Sequence, residues 1–186
     1  IEDWYHLDYI KATRSNYSML DGLDNYTNIL NDNEVLSSFF VLGDIAQDIK
    51  SQLINLAKLG HDIGSHGWNH KRPLLLSVGE FREDAHKSKI HLEDLLGLEV
   101  EGYRAPCFSL DRARLDIVKS LGYTYDSSRI DFGSHPLYGS IDLTGFSKLS
   151  KNISLQDDFI EFEVSTHKIL NRNLPISGGG YIRILP

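Results

Sequence analysis

Two histidines four residues apart, His66 and His70, close the segment His61-Asp62-Ile63-Gly64-Ser65-His66-Gly67-Trp68-Asn69-His70. Neutral imidazole is a common ligand for divalent metals, and on one helical turn a spacing of four brings both rings to the same side. Asp62-Ile63 reads as the end of a strand, a position where α/β proteins gather their catalytic groups. A metal that acts on a substrate commonly keeps two histidines, one carboxylate and an open place for water. Glu2 and Asp3, beside Trp4 and Tyr5 at what reads as the end of a first strand, are the candidates for that carboxylate. The competing readings are two capped or surface histidines on a polar turn, and an acidic terminus with no ligand role.

Further charged groups follow later strands. In Tyr103-Arg104-Ala105-Pro106-Cys107 an arginine leaves a strand just before a turn. Its permanent charge and forked donors suit it to holding a carboxylate, or to a structural salt bridge. Pro106 fixes the turn, so that the backbone N–H of Cys107 could point inward. The thiol itself, without an evident partner, reads as a small packed side chain. Tyr125-Asp126-Ser127-Ser128 ends the next strand and adds a carboxylate that could instead cap a turn. His135 and His167 fall in or near irregular segments as possible proton donors.

These groups need a scaffold, and the pattern supplies one. Met19, Leu20, Leu23, Tyr26, Ile29 and Leu30 form a helical stripe, and Ser37 to Leu42 reads as a buried strand ending at Gly43. A second stripe runs from Ile45 to Ala57 before Gly60. Ser77-Val78-Gly79-Glu80 is a capping box for a helix with Phe81, Ala85, Ser88, Leu92 and Leu95 on one face, ended by Gly97. Glu101 to Arg104 reads as strand, Asp111 to Leu121 as helix, Tyr123 to Asp126 as strand, Asp131 to Gln156 as a long loop, and Phe159 to Val164 as a half-exposed strand. The alternation predicts an α/β domain with parallel strands.

Bulk properties narrow the function. The 186 residues, 41% hydrophobic, suffice for a single domain over 1–186. A formal charge of −7 and no basic run weigh against nucleic acid. One cysteine cannot form an internal disulfide, and no apolar stretch reaches the roughly 20 residues of a membrane span. Without a signal segment the cytoplasm is slightly favoured, though the compartment and the oligomeric state stay open. The chain opens on Ile1 and closes on a structured-looking Gly178 to Pro186, which reads as a fragment lacking its N- and C-terminal parts.

Together the motifs resemble the polysaccharide deacetylase family with the NodB-homology fold, and especially its bacterial exopolysaccharide-associated branch. Phe39-Phe40-Val41-Leu42-Gly43 resembles the family's second-strand signature, and Gly64 to His70 its metal motif. Tyr103 to Pro106 resembles the arginine motif, Tyr125 to Ser128 a rim motif, and Gly178-Gly179-Gly180-Tyr181-Ile182-Arg183 a late one. The resemblance implies a distorted (β/α) barrel with fewer than eight parallel strands. It implies a divalent metal, zinc first, with cobalt, nickel, iron or manganese also compatible, held by His66, His70 and either Glu2 or Asp3. It further implies hydrolysis of N-acetyl groups on a polysaccharide or oligosaccharide, with Arg104 and Asp126 in catalysis and the Cys107 N–H, Trp68 and Tyr181 at the oxyanion or substrate. By the same likeness the base carboxylate precedes Ile1 and the general-acid histidine follows Pro186, which leaves the activity of this chain open. Two alternatives remain: a non-catalytic carbohydrate-binding domain, and an allantoinase-like hydrolase of a small cyclic amide.

Overall fold

The computed structural model describes residues 1–3, 6, 18–132, 135–169 and 172–175. It divides into two compact units, Ile1–Lys71 with Glu83–Gly102, and Arg72–Arg82 with Tyr103–Pro186. The fold is mixed α/β with a parallel-rich sheet of seven strands, as the alternation predicts, and a separate two-stranded hairpin. Among the described residues, no helix is long and apolar enough to cross a membrane.

In the first unit, β1 (Ser38–Val41) and β2 (Asp62–Ser65) pair in parallel from Ser38 opposite Asp62 to Val41 opposite Ser65. Phe39, Phe40 and Val41 are all buried, which is why this strand reads as a continuous apolar run. The N–H of Ile1 donates to Phe40 O and Leu42 N donates to Ile1 O, so the first residues lie along β1. The first predicted helix begins instead as a tight turn, Met19–Gly22, capped by Ser18, and α1 follows at Leu23–Asp32. Its buried positions are Leu23, Thr27 and Leu30, while Tyr26 and Ile29 face solvent, so the stripe is rotated from the predicted one. Thr27 can be buried because its hydroxyl donates to Leu23 O at 2.9 Å.

The next helix, α2 (Lys50–Lys58), starts later than its stripe, because residues 44–49 run in turns whose first amide, Asp44 N, donates to Trp68 O. Ile45 and Ile49 are buried all the same. Gly60 ends α2 at φ +88°, and His61 N reaches back to Leu56 O, as a glycine-terminated helix requires. α3 (Val78–Leu96) opens on the predicted capping box: Glu80 N donates to Ser77 Oγ and Ser77 N to Glu80 Oε2.

After β3 (Gly102–Tyr103), the second unit holds α4 (Arg112–Ser120), whose N-cap Asp111 accepts from Arg114 N at 2.9 Å. β4 (Tyr125–Asp126) pairs in parallel with β7 (Phe159–Phe162), placing Asp126 opposite Glu161. The stretch from Asp131 to Gln156, predicted as loop, holds β5 (Ser147–Ser150) and β6 (Ile153–Gln156), which continue the sheet through antiparallel pairings. Every residue of β5 is exposed, so no apolar alternation marks it in the sequence. β8 (Thr166–Ile169) and β9 (Arg172–Pro175) form the hairpin.

Gly64 in β2 admits no side chain: a Cβ there would lie 2.8 Å from the Phe40 ring and 3.0 Å from Gly102 O. Gly64→Ala is therefore expected to destabilise the protein by about 1–3 kcal/mol, the usual range for an overpacked core position. Urea melts of the two forms measure it, and equal midpoints would contradict this packing.

Candidate metal centre

Glu2, His66 and His70 each offer one possible ligand atom, and these atoms all lie within 4.8 Å of one another. His70 Nε2 stands 2.7 Å from Glu2 Oε2, and the two imidazole centroids are 5.3 Å apart, inclined by 63°. Glu2 Oε2 is buried, yet no group donates a hydrogen bond to it in acceptable geometry. A buried carboxylate oxygen 2.7 Å from one imidazole nitrogen, in a group whose ligand atoms all lie within 4.8 Å, is what a shared cation satisfies, so the three residues fit a metal. Burial pushes the Glu2 carboxyl up, but the contact with His70 and the nearby charges of His70 and His66 outweigh it and hold the group down at about 2. Glu2 is thus an anion across the neutral range, as a ligand must be.

The spacing of four does not act through a helix. Residues 66–72 are a loop after β2, and both Gly67 and His70 have left-handed backbones, at φ +77° and φ +62°. Outside bonds shape the loop instead: His66 N donates to Val41 O, Gly43 N to Gly67 O and Asp44 N to Trp68 O. From α3, Ser88 Oγ donates to Gly67 O while Ser65 Oγ donates to Ser88 Oγ, both at 2.9 Å, and Asp84 accepts from Trp68 N at 3.0 Å. Ser65 and Ser88 are fully buried, so their hydroxyls are committed to the loop.

Asp3, the other predicted acid, lies elsewhere in the same unit. Its oxygens accept from Ser18 Oγ at 2.6 Å and Met19 N at 2.9 Å, which ties residues 1–3 to the start of the first helical segment. His6 was not singled out in the sequence. It is buried, accepts from Asp3 N at 3.0 Å through Nδ1, and sets Nε2 3.1 and 3.2 Å from the two oxygens of Asp44. Asp3 and His6 are therefore each tied to other residues of the unit, Asp3 to Ser18 and Met19 and His6 to Asp44. Trp68 packs its six-membered ring against Gly43, where a Cβ would come within 2.5 Å. Lys87 Nζ lies 3.4 Å from the ring centroid, and Trp68 is half-buried.

The second unit brings together Arg104 and Asp126. Arg104 Nε donates to Ser127 O at 2.9 Å and Nη2 to Ser127 Oγ at 2.5 Å. Asp126 is completely buried; it accepts from Ser128 N at 2.7 Å and from Ser128 Oγ at 2.8 Å, and Ser128 Oγ accepts from Ala105 N. That chain of bonds holds the turn in which Cys107 and Phe108 both adopt φ +52°. A second buried acid, Glu161, faces Asp126; nothing in the alternating sequence Phe159 to Val164 says that its acidic side turns inward. His135 stacks on Tyr138 at 3.9 Å, His167 is exposed, and Tyr181 lies outside the described residues.

With this geometry in place, comparison with known proteins is informative. The family described as polysaccharide deacetylase matches residues 18–125, more than half of the chain. The chain belongs to the polysaccharide deacetylase family. A peptidoglycan deacetylase of Helicobacter pylori is 23% identical over 121 residues, 65% of this chain and 41% of that protein. A chitin deacetylase of Pestalotiopsis is 29% identical over 118 residues, 60% and 40% of the two chains. The chain thus spans about two fifths of the curated relatives it matches. In fold it is similar to a crystal structure of a candidate polysaccharide deacetylase from Mycobacterium smegmatis, with TM-score 0.60, 23% identity, and coverage of 86% of this chain and 52% of the other. It is similar also to a CE4-family pseudoenzyme of Bacillus anthracis, with TM-score 0.52, 18% identity, and coverage of 65% and 38%.

Removing one donor from the three should release a bound ion. His66→Ala and His70→Ala are each expected to lower zinc affinity by more than the roughly 10–100-fold typical of changes outside the ligand shell. Asp3→Ala should keep the stoichiometry and lose about 1 kcal/mol of stability with its hydrogen bonds from Ser18 Oγ and Met19 N. Calorimetric titration with zinc distinguishes them; undiminished binding by His66→Ala would remove that residue from the ligand set.

Proposed function

We propose that this polysaccharide deacetylase family member is a metal-dependent carbohydrate N-deacetylase, and that residues 1–186 act as one catalytic domain. The observation that carries the reading is the convergence of Glu2, His66 and His70, the donor set of many hydrolytic zinc sites. Zinc is the ion best suited to two imidazoles and one carboxylate, and cobalt, nickel, iron or manganese are compatible with the same donors. When bound, such an ion activates water and polarises the acetyl carbonyl. The protein's own part is to present two imidazoles and an ionised Glu2 in a preset arrangement. In the second unit, Arg104 keeps its charge at any working pH, and the Asp126–Ser128–Ala105 chain of bonds fixes the turn whose Cys107 N–H is suited to a developing oxyanion.

The substrate class follows from the relatives' names. Peptidoglycan and chitin both carry N-acetylglucosamine, which supports an N-acetylated glycan for this chain. An exopolysaccharide is the more specific proposal, resting on the order of the motifs from Phe39 to Ser128. A second reading, a carbohydrate-binding domain without turnover, is supported by the fold's likeness to a CE4-family pseudoenzyme.

The deciding experiment loads the full chain with zinc and measures acetate release from chitooligosaccharide, peptidoglycan fragments and an N-acetylated exopolysaccharide. Allantoin serves as a cyclic ureide control. Zinc-dependent release from a glycan, lost in Glu2→Gln, is the expected result. Tight glycan binding without any release would favour the second reading, and ureide opening alone would sink both.

A further inference from the structure

Glu161 is a fully buried acid in the middle of β7, and parallel register sets it beside Asp126, which is also fully buried. Glu161 Oε1 accepts from Arg129 N at 2.9 Å, but Oε2 has no hydrogen-bond donor among amides, hydroxyls or cations. Two ionised carboxylates side by side without water would repel strongly, and an orphaned buried oxygen is itself costly. One proton between the two carboxyls removes both problems. The charged and titratable groups facing the pair fit this arrangement. Arg104 faces Asp126, Glu161 and Tyr125, Arg129 lies beside Glu161, and Glu163 is already engaged by Arg129 and Lys148.

We propose that Glu161 is a positioning residue, holding Asp126 through a shared proton so that Asp126, through Ser128 and Ala105, fixes the turn carrying Cys107. This rests on the deacetylase reading for its catalytic consequence, although the proton-sharing pair stands independently of it. Burial raises both carboxyls, and the Asp126 charge lifts Glu161 further, well above the ordinary carboxylate range. Asp126 reaches about 6, because its bonds to Glu161 and Ser128 and the Arg104 charge pull it part of the way back. The native pair therefore keeps protons that the unfolded chain releases near pH 4, so stability falls as pH rises from there through the native range, by about tenfold in the folding equilibrium per pH unit for each proton held.

Glu161→Gln tests this, since the amide can donate to Asp126 and accept from Arg129 N without titrating. Infrared spectra of the full chain at pH 7 should show a protonated carboxyl C=O band in wild type that is missing in Glu161→Gln. The variant's melting temperature should vary less with pH between 5 and 8. In zinc-loaded protein, Glu161→Leu should lower kcat at least about tenfold at unchanged zinc stoichiometry and KM, and Glu161→Gln should restore it and keep activity further into alkali. Absence of the wild-type carboxyl band, or equal kcat for wild type and Glu161→Leu, overturns the proposal. If no form, wild type included, deacetylates any glycan, the deacetylase reading fails, while the infrared and melting results still decide whether the pair shares a proton.

Discussion

The buried hydroxyl relay from Ser65 through Ser88 to Gly67 is the constraint on which the first unit's chemistry depends. The three candidate metal donors must be held within a few ångströms of one another, and the loop that carries the two imidazoles is kept in place from outside. A helix would impose that geometry through its own ladder, but this loop has none. Its order comes from amides and carbonyls exchanged with the end of β1 and from two serines buried for that purpose. His70 in the left-handed region adds strain of order 1 kcal/mol, tolerable only where the surroundings over-determine the backbone.

The second unit solves a different problem, how to keep acids inside a sheet. Asp126 and Glu161 occupy opposed positions on neighbouring parallel strands, so burial and mutual repulsion act on both. Ser128 gives Asp126 two hydrogen bonds and Arg104 lies nearby, which favours charge on Asp126 over charge on Glu161. Neutral partners of matched shape would pack more cheaply, since buried ionisable groups rarely add net stability. Their presence on β4 and β7, with Asp126 tied through Ser128 to the turn that follows β3, is therefore better explained by what they hold than by what they stabilise.

Much of this was legible in the residues. The capping box at Ser77, the glycine stops at Gly60 and Gly97, and the apolar run of β1 are local signals with local causes, and each appears where the sequence places it. The pairing of His66 with His70 was legible as chemistry but not as conformation, because spacing alone does not distinguish a helical turn from a loop pinned by other strands. The choice between Glu2 and Asp3 was illegible. Both are acids in an extended segment, and only the cap at Ser18 and Met19 shows that Asp3 is otherwise engaged. Glu161 was hidden for a similar reason: alternation says that two faces differ, not which one faces the core, and here the face bearing an acid turns in while Phe162 is 37% exposed.

The arrangement separates two requirements that a hydrolase must meet together. Holding an ion needs only ligand atoms at fixed separations, and Glu2, His66 and His70 supply these from within one unit. Turning over an amide also needs a fixed donor for the developing oxyanion and a charge environment that stays constant across the working pH range. The turn after Arg104 can meet that second need only if the carboxylates behind it do not both ionise, since two buried negative charges would push β4 and β7 apart at their shared end. The stiffness of the Arg104–Phe108 turn is thus linked to the protonation of a buried side chain on another strand.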